Sequence, residues 1–478
     1  MPDLRRQIFE SGKTVSRKAA SREASRTNSL ASSKQTSRQS SRAASRQPSD
    51  DEDSGSLSDE TAMSIGSLDD ENPEQDNVDW PTELAERIDE ILDRKRSSVQ
   101  GREEALTAFC RLTKYHLAED VVRVFASELL VAFCKSVRTE SSVVETTQAL
   151  RAIELLAITT NDDKTYENTE PLITRTIRDS TSNAVKAAAI HCLGACTIFG
   201  GAGEDGILDQ MTFLLDVVAS DGQSIDAPDD ATNVTAALQV WGFLATEIDD
   251  FEADSEEAAQ IFIDQLDSGD SGVQVAAGEN LALLYEKSYT PQEDGEPNDD
   301  EEESEESDEH EQMSNGPKLV KRYNAYHNTP ELERQLKALA HIHTKRISKR
   351  DKKSLHSNFA SILNTVENPR RGPRYNTAID QDTDRHYGST LTVKIGKHGI
   401  MSIDRWWKWV RLTALRRILQ GGFAEHYFQG NRAVLDNLPV MLRTAGRSGD
   451  RESAKKAAKV RNSHTSRRWT APQSDDED

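Results

Sequence analysis

The sequence predicts an all-α protein: an α-solenoid of HEAT- or armadillo-like repeats, an acidic linker, and a small basic, mostly helical C-terminal domain with one β-hairpin, between disordered termini. Three observations carry this. From Trp80 to about Lys287, apolar residues recur at helical spacing in one segment after another, without strand-like alternation. An echo lies 88 residues apart: Asp179-Ser180 followed by Val185, Ala188, Ala189 and Leu193 matches Asp267-Ser268 followed by Val273, Ala276, Ala277 and Leu281. That offset is about twice the ~40–47-residue period of HEAT and armadillo units. Third, charge is segregated. Residues 1–48 carry 11 Lys/Arg against 3 Asp/Glu, residues 49–317 carry 16 against 63, and residues 318–468 carry 32 against 12. The net charge of -23 therefore hides two basic ends around an acidic middle. Such asymmetry points to polyanion binding; the alternative is that the acidic middle neutralises the basic third within one molecule.

In chain order, residues 1–78 form a Ser/Arg-rich and then acidic tail with nothing to bury, predicted to be disordered. Ser16, Ser21, Ser25, Ser37, Ser41 and Ser45 each precede an arginine. Phosphorylating one adds about -1.5 to -2 charges, so a handful would reverse the sign of this arm. Residues 79–288 are the predicted solenoid. Order begins at Trp80-Pro81, where proline suits a first helical turn. Further helices are predicted over 120–137, 141–159, 171–179, 182–199, 206–219, 231–247, 256–267 and 271–286. The Ala-rich faces allow close packing, and the Asp-Ser pairs suit turns between helices. Residues 289–317 are a solvated acidic linker, with 13 carboxylates between Glu293 and Glu311.

Residues 318–448 form the basic domain, with helices over 329–347 and 349–366 and a basic loop at Arg370, Arg371 and Arg374. Alternation through Leu391, Val393 and Ile395, a turn at Gly396–Gly399, and resumption at Ile400 and Met401 predict a hairpin. A helix follows from Ile403 to Leu419, ended by Gly421-Gly422. Residues 449–478 are a basic flexible tail with an acidic end.

The four cysteines show no disulfide pattern and read as free core thiols of a reducing compartment. The N-terminus lacks the apolar stretch of a secretory signal, and no segment approaches the ~18 apolar residues of a membrane span. The expected location is cytoplasmic and nuclear, with no membrane partner. Catalytic signals are weak. His191, Cys192 and Cys196 lie in an Ala-rich helix without the four ligands of a zinc site and read as core. Gly396-Lys397-His398-Gly399 lacks the spacing of a phosphate-cradling loop. No enzyme, cofactor, metal or small-molecule substrate is expected.

The binding chemistry lies in the basic third. Lys345, Arg346, Lys349, Arg350, Lys352 and Lys353 fall within nine residues, which suits phosphate contacts without sequence specificity. A nuclear-import patch is the alternative. On the helix after the hairpin, Arg405, Trp409, Leu412 and Arg416 share one face that could stack a base beside a phosphate. Trp407, Val410, Ala414 and Ile418 share another, read as core. Arg451, Lys455, Lys456, Lys459, Arg461, Arg467 and Arg468 form a second basic cluster that could fold on RNA.

Several of these segments together resemble the interferon-related developmental regulator family: Ser11–Lys18 with its Ser-rich continuation, the helical repeats before the acidic run, Ser348–Lys353 with Phe359, Trp406–Leu419, and Gly421–Tyr427. The resemblance covers about residues 1–443. It implies a non-enzymatic regulator, associated either with idle ribosomes through basic C-terminal elements or with transcriptional coregulation through deacetylase-containing corepressor complexes. The expected partners are accordingly ribosomal RNA for the basic third and proteins for the solenoid.

Overall fold

The computed structural model describes residues 79–94, 97–292, 319–341, 349–380, 385–389, 391–395, 399–438 and 442–443. Within them helices stack in successive pairs. α1 (Trp80–Leu92) pairs with α2 (Val99–Tyr115), α3 (Glu119–Thr139) with α4 (Val143–Thr160), and α5 (Thr165–Asp179) with α6 (Asn183–Phe199). α7 (Glu204–Ala219) then pairs with α8 (Ala231–Ala245), α9 (Ser255–Gln265) with α10 (Ser271–Lys287), and α11 (Thr329–Ala340) with α12 (Lys349–Glu367). The even-numbered helices from α2 to α12 pack on one another in order. This is the all-α solenoid that the sequence predicts.

Local chemistry explains the element boundaries. Pro81 opens α1. Ser98, Ser142, Asp230 and Asp270 cap α2, α4, α8 and α10 by accepting first-turn backbone N–H groups, an interaction typically worth about 1 kcal/mol per cap. The even helices differ from an ordinary surface helix. α4, α6, α8 and α10 are buried nearly all round, as expected of helices covered on both sides. α5 starts at Thr165, six residues before the predicted start, with Pro171 inside it. Pro171 and Glu167, whose carbonyl it frees, both lie on the exposed face, where water can replace the lost bond.

Two buried charges join neighbouring repeats. Glu145 of α4 pairs with Arg94 and Arg102 at 2.9 and 2.8 Å, and these ion pairs hold its carboxyl below the usual range despite burial. Lys186 of α6 donates to the carbonyls of Ile177, Arg178 and Ile225, closing the end of α5 and the turn before α8.

After α10, β1 (Tyr289–Pro291) pairs antiparallel with β2 (Leu319–Lys321), so the chain returns beside its exit point. The acidic run 293–318 between these strands lies outside the described residues. Tyr326 then donates to Gln260 and Gln335 to Asp267, seating α11 against α9 and its C-terminal turn. β3 (Tyr375–Asp380) pairs with β4 (Arg385–Ser389), a ribbon the sequence reading did not anticipate. The predicted hairpin forms from β5 (Thr392–Ile395) and β6 (Gly399–Ser402), with Ile395 opposite Gly399, and β7 (Leu442–Arg443) adds to β6. Among the described residues three α-helices follow the hairpin: α13 (Trp406–Leu419), α14 (Phe423–Gln429) and α15 (Arg432–Leu435).

Candidate functional site

The site is built around α13, which lies along the even-helix row. It starts beside α10 and α12 and ends beside α4 and α2. At its start the Glu286 carboxylate, on α10, accepts the backbone N–H groups of Trp406 (2.8 Å) and Trp407 (3.1 Å). Trp406 is buried, and its indole donates to Thr365 Oγ1 of α12 at 2.7 Å. Arg411 donates to the Thr246 carbonyl (3.0 Å) and to Glu247 (2.6 Å). At the far end Glu154 of α4 receives Arg151 at 2.7 Å and Arg417 at 3.1 Å. Arg151 also donates to the carbonyls of Arg417 and Ile418. A carboxylate at the N-terminus and a guanidinium at the C-terminus complement the helix dipole. Burial pushes the Glu286 carboxyl up, while its two backbone N–H bonds and Arg405 oppose the shift.

α14 and α15 fix the returning chain to α2 and α4. The buried His426 ring places Nε2 3.0 Å from the Thr113 carbonyl and Nδ1 3.0 Å from Asn431 Nδ2. Asn431 also donates to the Ile158 carbonyl at 3.2 Å. This set fits only a neutral imidazole that donates from Nε2 and accepts at Nδ1. Burial agrees, pushing its pKa down to about 4.

This docking corrects the predicted aromatic–cation face. Trp409 is 2% exposed and its indole donates to Glu279 Oε1 at 2.9 Å, so it offers no stacking platform. Leu412 is fully buried beside it. Arg405 is the half-buried residue before α13, with its guanidinium on the Arg370 carbonyl, and Arg416 is half-buried and engaged. The face assigned to the core is mixed, because Trp407 is half-buried with Lys408 and Arg411 over its ring. The physical reason is that the repeat row covers the apolar part of that face, Trp409 and Leu412. α13 ends at Leu419, where the sequence predicts it, with Gln420 (φ 46°) as its C-cap, and the turn through Gly421-Gly422 leads into α14. Gly422 is required by close approach: a Cβ there would lie 1.8 Å from the Lys114 carbonyl oxygen.

The other predicted residues are placed as follows. Arg370 donates to the Leu319 carbonyl, Arg371 lies 5.3 Å from the Tyr375 ring centre, and Arg374 reaches Ser357 Oγ at 3.4 Å. All three are half-buried around the end of α12. Lys349, Arg350, Lys352 and Lys353 open α12 in the backbone, and Lys352 is half-buried. Lys345, Arg346, the tail cations Arg451, Lys455, Lys456, Lys459, Arg461, Arg467 and Arg468, and the six serines lie outside the described residues. Cys192 and Cys196 are core, and burial pushes the Cys192 thiol well up. Among the described residues no three His, Cys, Asp or Glu side chains form a metal-holding group, and no helix is long and apolar enough to cross a membrane.

A row of helix pairs with a C-terminal helix fixed along it defines an α-solenoid repeat protein. A model of the interferon-related developmental regulator family matches residues 39–367, ending at the last residue of α12. An uncharacterized protein of Schizosaccharomyces pombe is 27% identical over 371 residues, covering 76% of this chain and 76% of that protein. The chain belongs to the interferon-related developmental regulator family.

Proposed function

We propose that the chain is a non-enzymatic regulator, cytoplasmic and nuclear, that binds ribosomes or other structured RNA and holds idle translation machinery. The observation that carries this reading is the density of positive charge where α12 begins: six cations within residues 345–353. Four of them occupy the first residues of α12, Lys349, Arg350, Lys352 and Lys353. Cations there oppose the helix dipole, and a phosphate would relieve that repulsion while meeting the first-turn N–H groups. Arg370, Arg371 and Arg374 lie at the other end of the same helix, and the cationic tail 451–468 would add phosphate contacts. Trp409 leaves this interface, because the docking of α13 buries it and engages its indole; Arg405 and Arg416 are half-buried and remain in it.

The test is co-sedimentation with ribosomes through a sucrose gradient, comparing the full chain with a variant carrying Lys349→Glu, Arg350→Glu, Lys352→Glu and Lys353→Glu. The parent is expected with monosomes or subunits at moderate salt and at the top at high salt. The variant should remain at the top throughout. Losing four phosphate contacts should flatten the salt dependence of log K by about 3. Equal co-sedimentation of parent and variant would defeat the reading. A parent found only at the top, with its bulk in nuclei, would favour the coregulator scaffold recruiting corepressor complexes.

A further inference from the structure

We propose that a groove beside α13 receives an extended peptide of a partner protein, acidic where it meets α2 and α4 and basic where it meets α10. The groove has a volume of about 880 Å³ and is lined by α2, α4, α6, α8 and α10 on one side and by one face of α13 on the other. Its defining feature is a column of polar residues: Arg111, Arg151, His191, Gln239 and Glu279, one from each even helix from α2 to α10. They stand 40, 40, 48 and 40 residues apart, so they occupy the same place in successive repeats. The longer interval contains the Asp221–Asp229 turn segment.

A second column, one turn earlier on its helices, runs Gln148, Ala188, Ala236 and Ala276. Three of its four members are alanine, so a peptide backbone can approach the floor closely. Four interhelix steps of about 8–10 Å give a path of about 32–40 Å, the reach of about ten to twelve extended residues. Of the polar column, Gln239 is exposed. Arg111 pairs with Glu83, Arg151 with Glu154 and Glu279 with the Trp409 indole, guanidinium and carboxylate groups that can each take further hydrogen bonds. His191 Nδ1 is shielded and has no hydrogen-bond partner among the described residues. Burial and the nearby Arg417 and Arg151 hold this imidazole well below the usual histidine range, so it is neutral.

Charge sets the peptide's polarity. At the α4 end Arg151 and Arg417 share the single Glu154 carboxylate, an excess of one positive charge, and Lys114 adds a second, while Arg111 is paired with Glu83 at 2.8 Å. At the α10 end the lining carries Asp270 and Glu279; burial pushes the Glu279 carboxyl up to about 7, so a cationic peptide group beside it would restore its charge. This proposal is independent of the RNA reading, which uses the cations at the two ends of α12 and in the tail.

The experiment selects phage-displayed random peptides of about twelve residues on the full chain, then measures binding of synthetic winners by fluorescence anisotropy. Winners should carry acidic residues toward one end and basic residues toward the other. Gln239→Trp, at an exposed mid-groove position, should weaken them on the order of tenfold or more, with an unchanged melting temperature. Glu279→Lys, checked for unchanged exchange protection of α13 because Glu279 also accepts from the Trp409 indole, should select winners whose basic end has become acidic, a switch that general loss of structure cannot produce. Winners without charge polarity, unchanged affinity for Gln239→Trp, or no enrichment at all would each overturn the proposal. A synthetic peptide of residues 49–78 that binds and is lost on Gln239→Trp would also overturn it, assigning the groove to the chain's own acidic segment.

Discussion

Replacing Glu286 by alanine should release α13 while leaving the repeats folded. Glu286 is 6% exposed, and its two oxygens take the N–H groups of Trp406 and Trp407, which are otherwise orphaned at a helix start. An unpaired buried donor costs about 1–3 kcal/mol, and losing a carboxylate at a helix N-terminus adds about 0.3–1 kcal/mol. Against this stands the relief of no longer burying a carboxylate, whose upward shift shows that burial opposes its charge. The net loss is about 2–4 kcal/mol of docking energy, or about 30- to 700-fold at about 1.4 kcal/mol per tenfold. Hydrogen exchange read by mass spectrometry over residues 406–419 is the direct assay, because sub-global opening appears there before the global transition. The variant should accelerate exchange in α13 by that factor while α3 to α6 keep their protection. Unchanged protection of α13 in a folded variant would refute the capping argument. Equal loss throughout the solenoid would also refute it, because it would make α13 part of one global unit.

Gly422→Ala should dislodge α14, since its Cβ would fall 1.8 Å from the Lys114 carbonyl oxygen; exchange over 423–435 should rise with a cost of about 1–3 kcal/mol, and unchanged protection would refute the close-approach reading. Lys186→Met keeps the aliphatic stem but orphans the carbonyls of Ile177, Arg178 and Ile225. It should cost about 2–4 kcal/mol, seen as a lower urea midpoint with an unchanged slope. His426 has a folded pKa pushed down to about 4 from the ordinary 6.5, so its stabilising effect is present above pH ~6.5 and lost as pH falls through about 4. Exchange over 423–435 should therefore rise across that window, and a flat profile would count against the neutral-imidazole assignment.

The solenoid was legible because its signal is local and repeated. Helical periodicity and the 88-residue echo needed no knowledge of what packs on what, and they placed most helices from α3 to α10 within a few residues. The site was less legible because its partners are distant. Trp409 and Glu279 are 130 residues apart, and nothing in the Arg405–Leu419 segment tells which face meets a repeat row. A tryptophan beside arginines has the same pattern whether it awaits a base or fills a groove. The polar column could have been found: aligning residues 111, 151, 191, 239 and 279 by the repeat offset brings it into one register. The composition change at Lys318 marks a change in charge, while the helix pairing continues across it through α11 and α12.

Fixing α13 along the repeat row changes how such a chain should hold together. In an open solenoid each repeat touches only its neighbours, so stability is a sum of local terms and the ends fray independently. Here Glu286 and Thr365 hold one end of α13, Arg151 and Glu154 hold the other, and the Thr113 carbonyl anchors His426 of α14. The fifth and sixth helix pairs are therefore tied to the first and second by a covalent stretch of chain. Opening either end must strain or release the other, so the terminal repeats gain cooperativity that nearest-neighbour packing cannot supply. The same tie supplies one wall of the groove, with Val410, Thr413, Ala414 and Arg417 opposite the polar column. A ligand in the groove would contact both α13 and the repeats it bridges. It would stabilise the tied state over the open one by its difference in affinity for the two, coupling occupancy of the groove to the docking of the C-terminal helices.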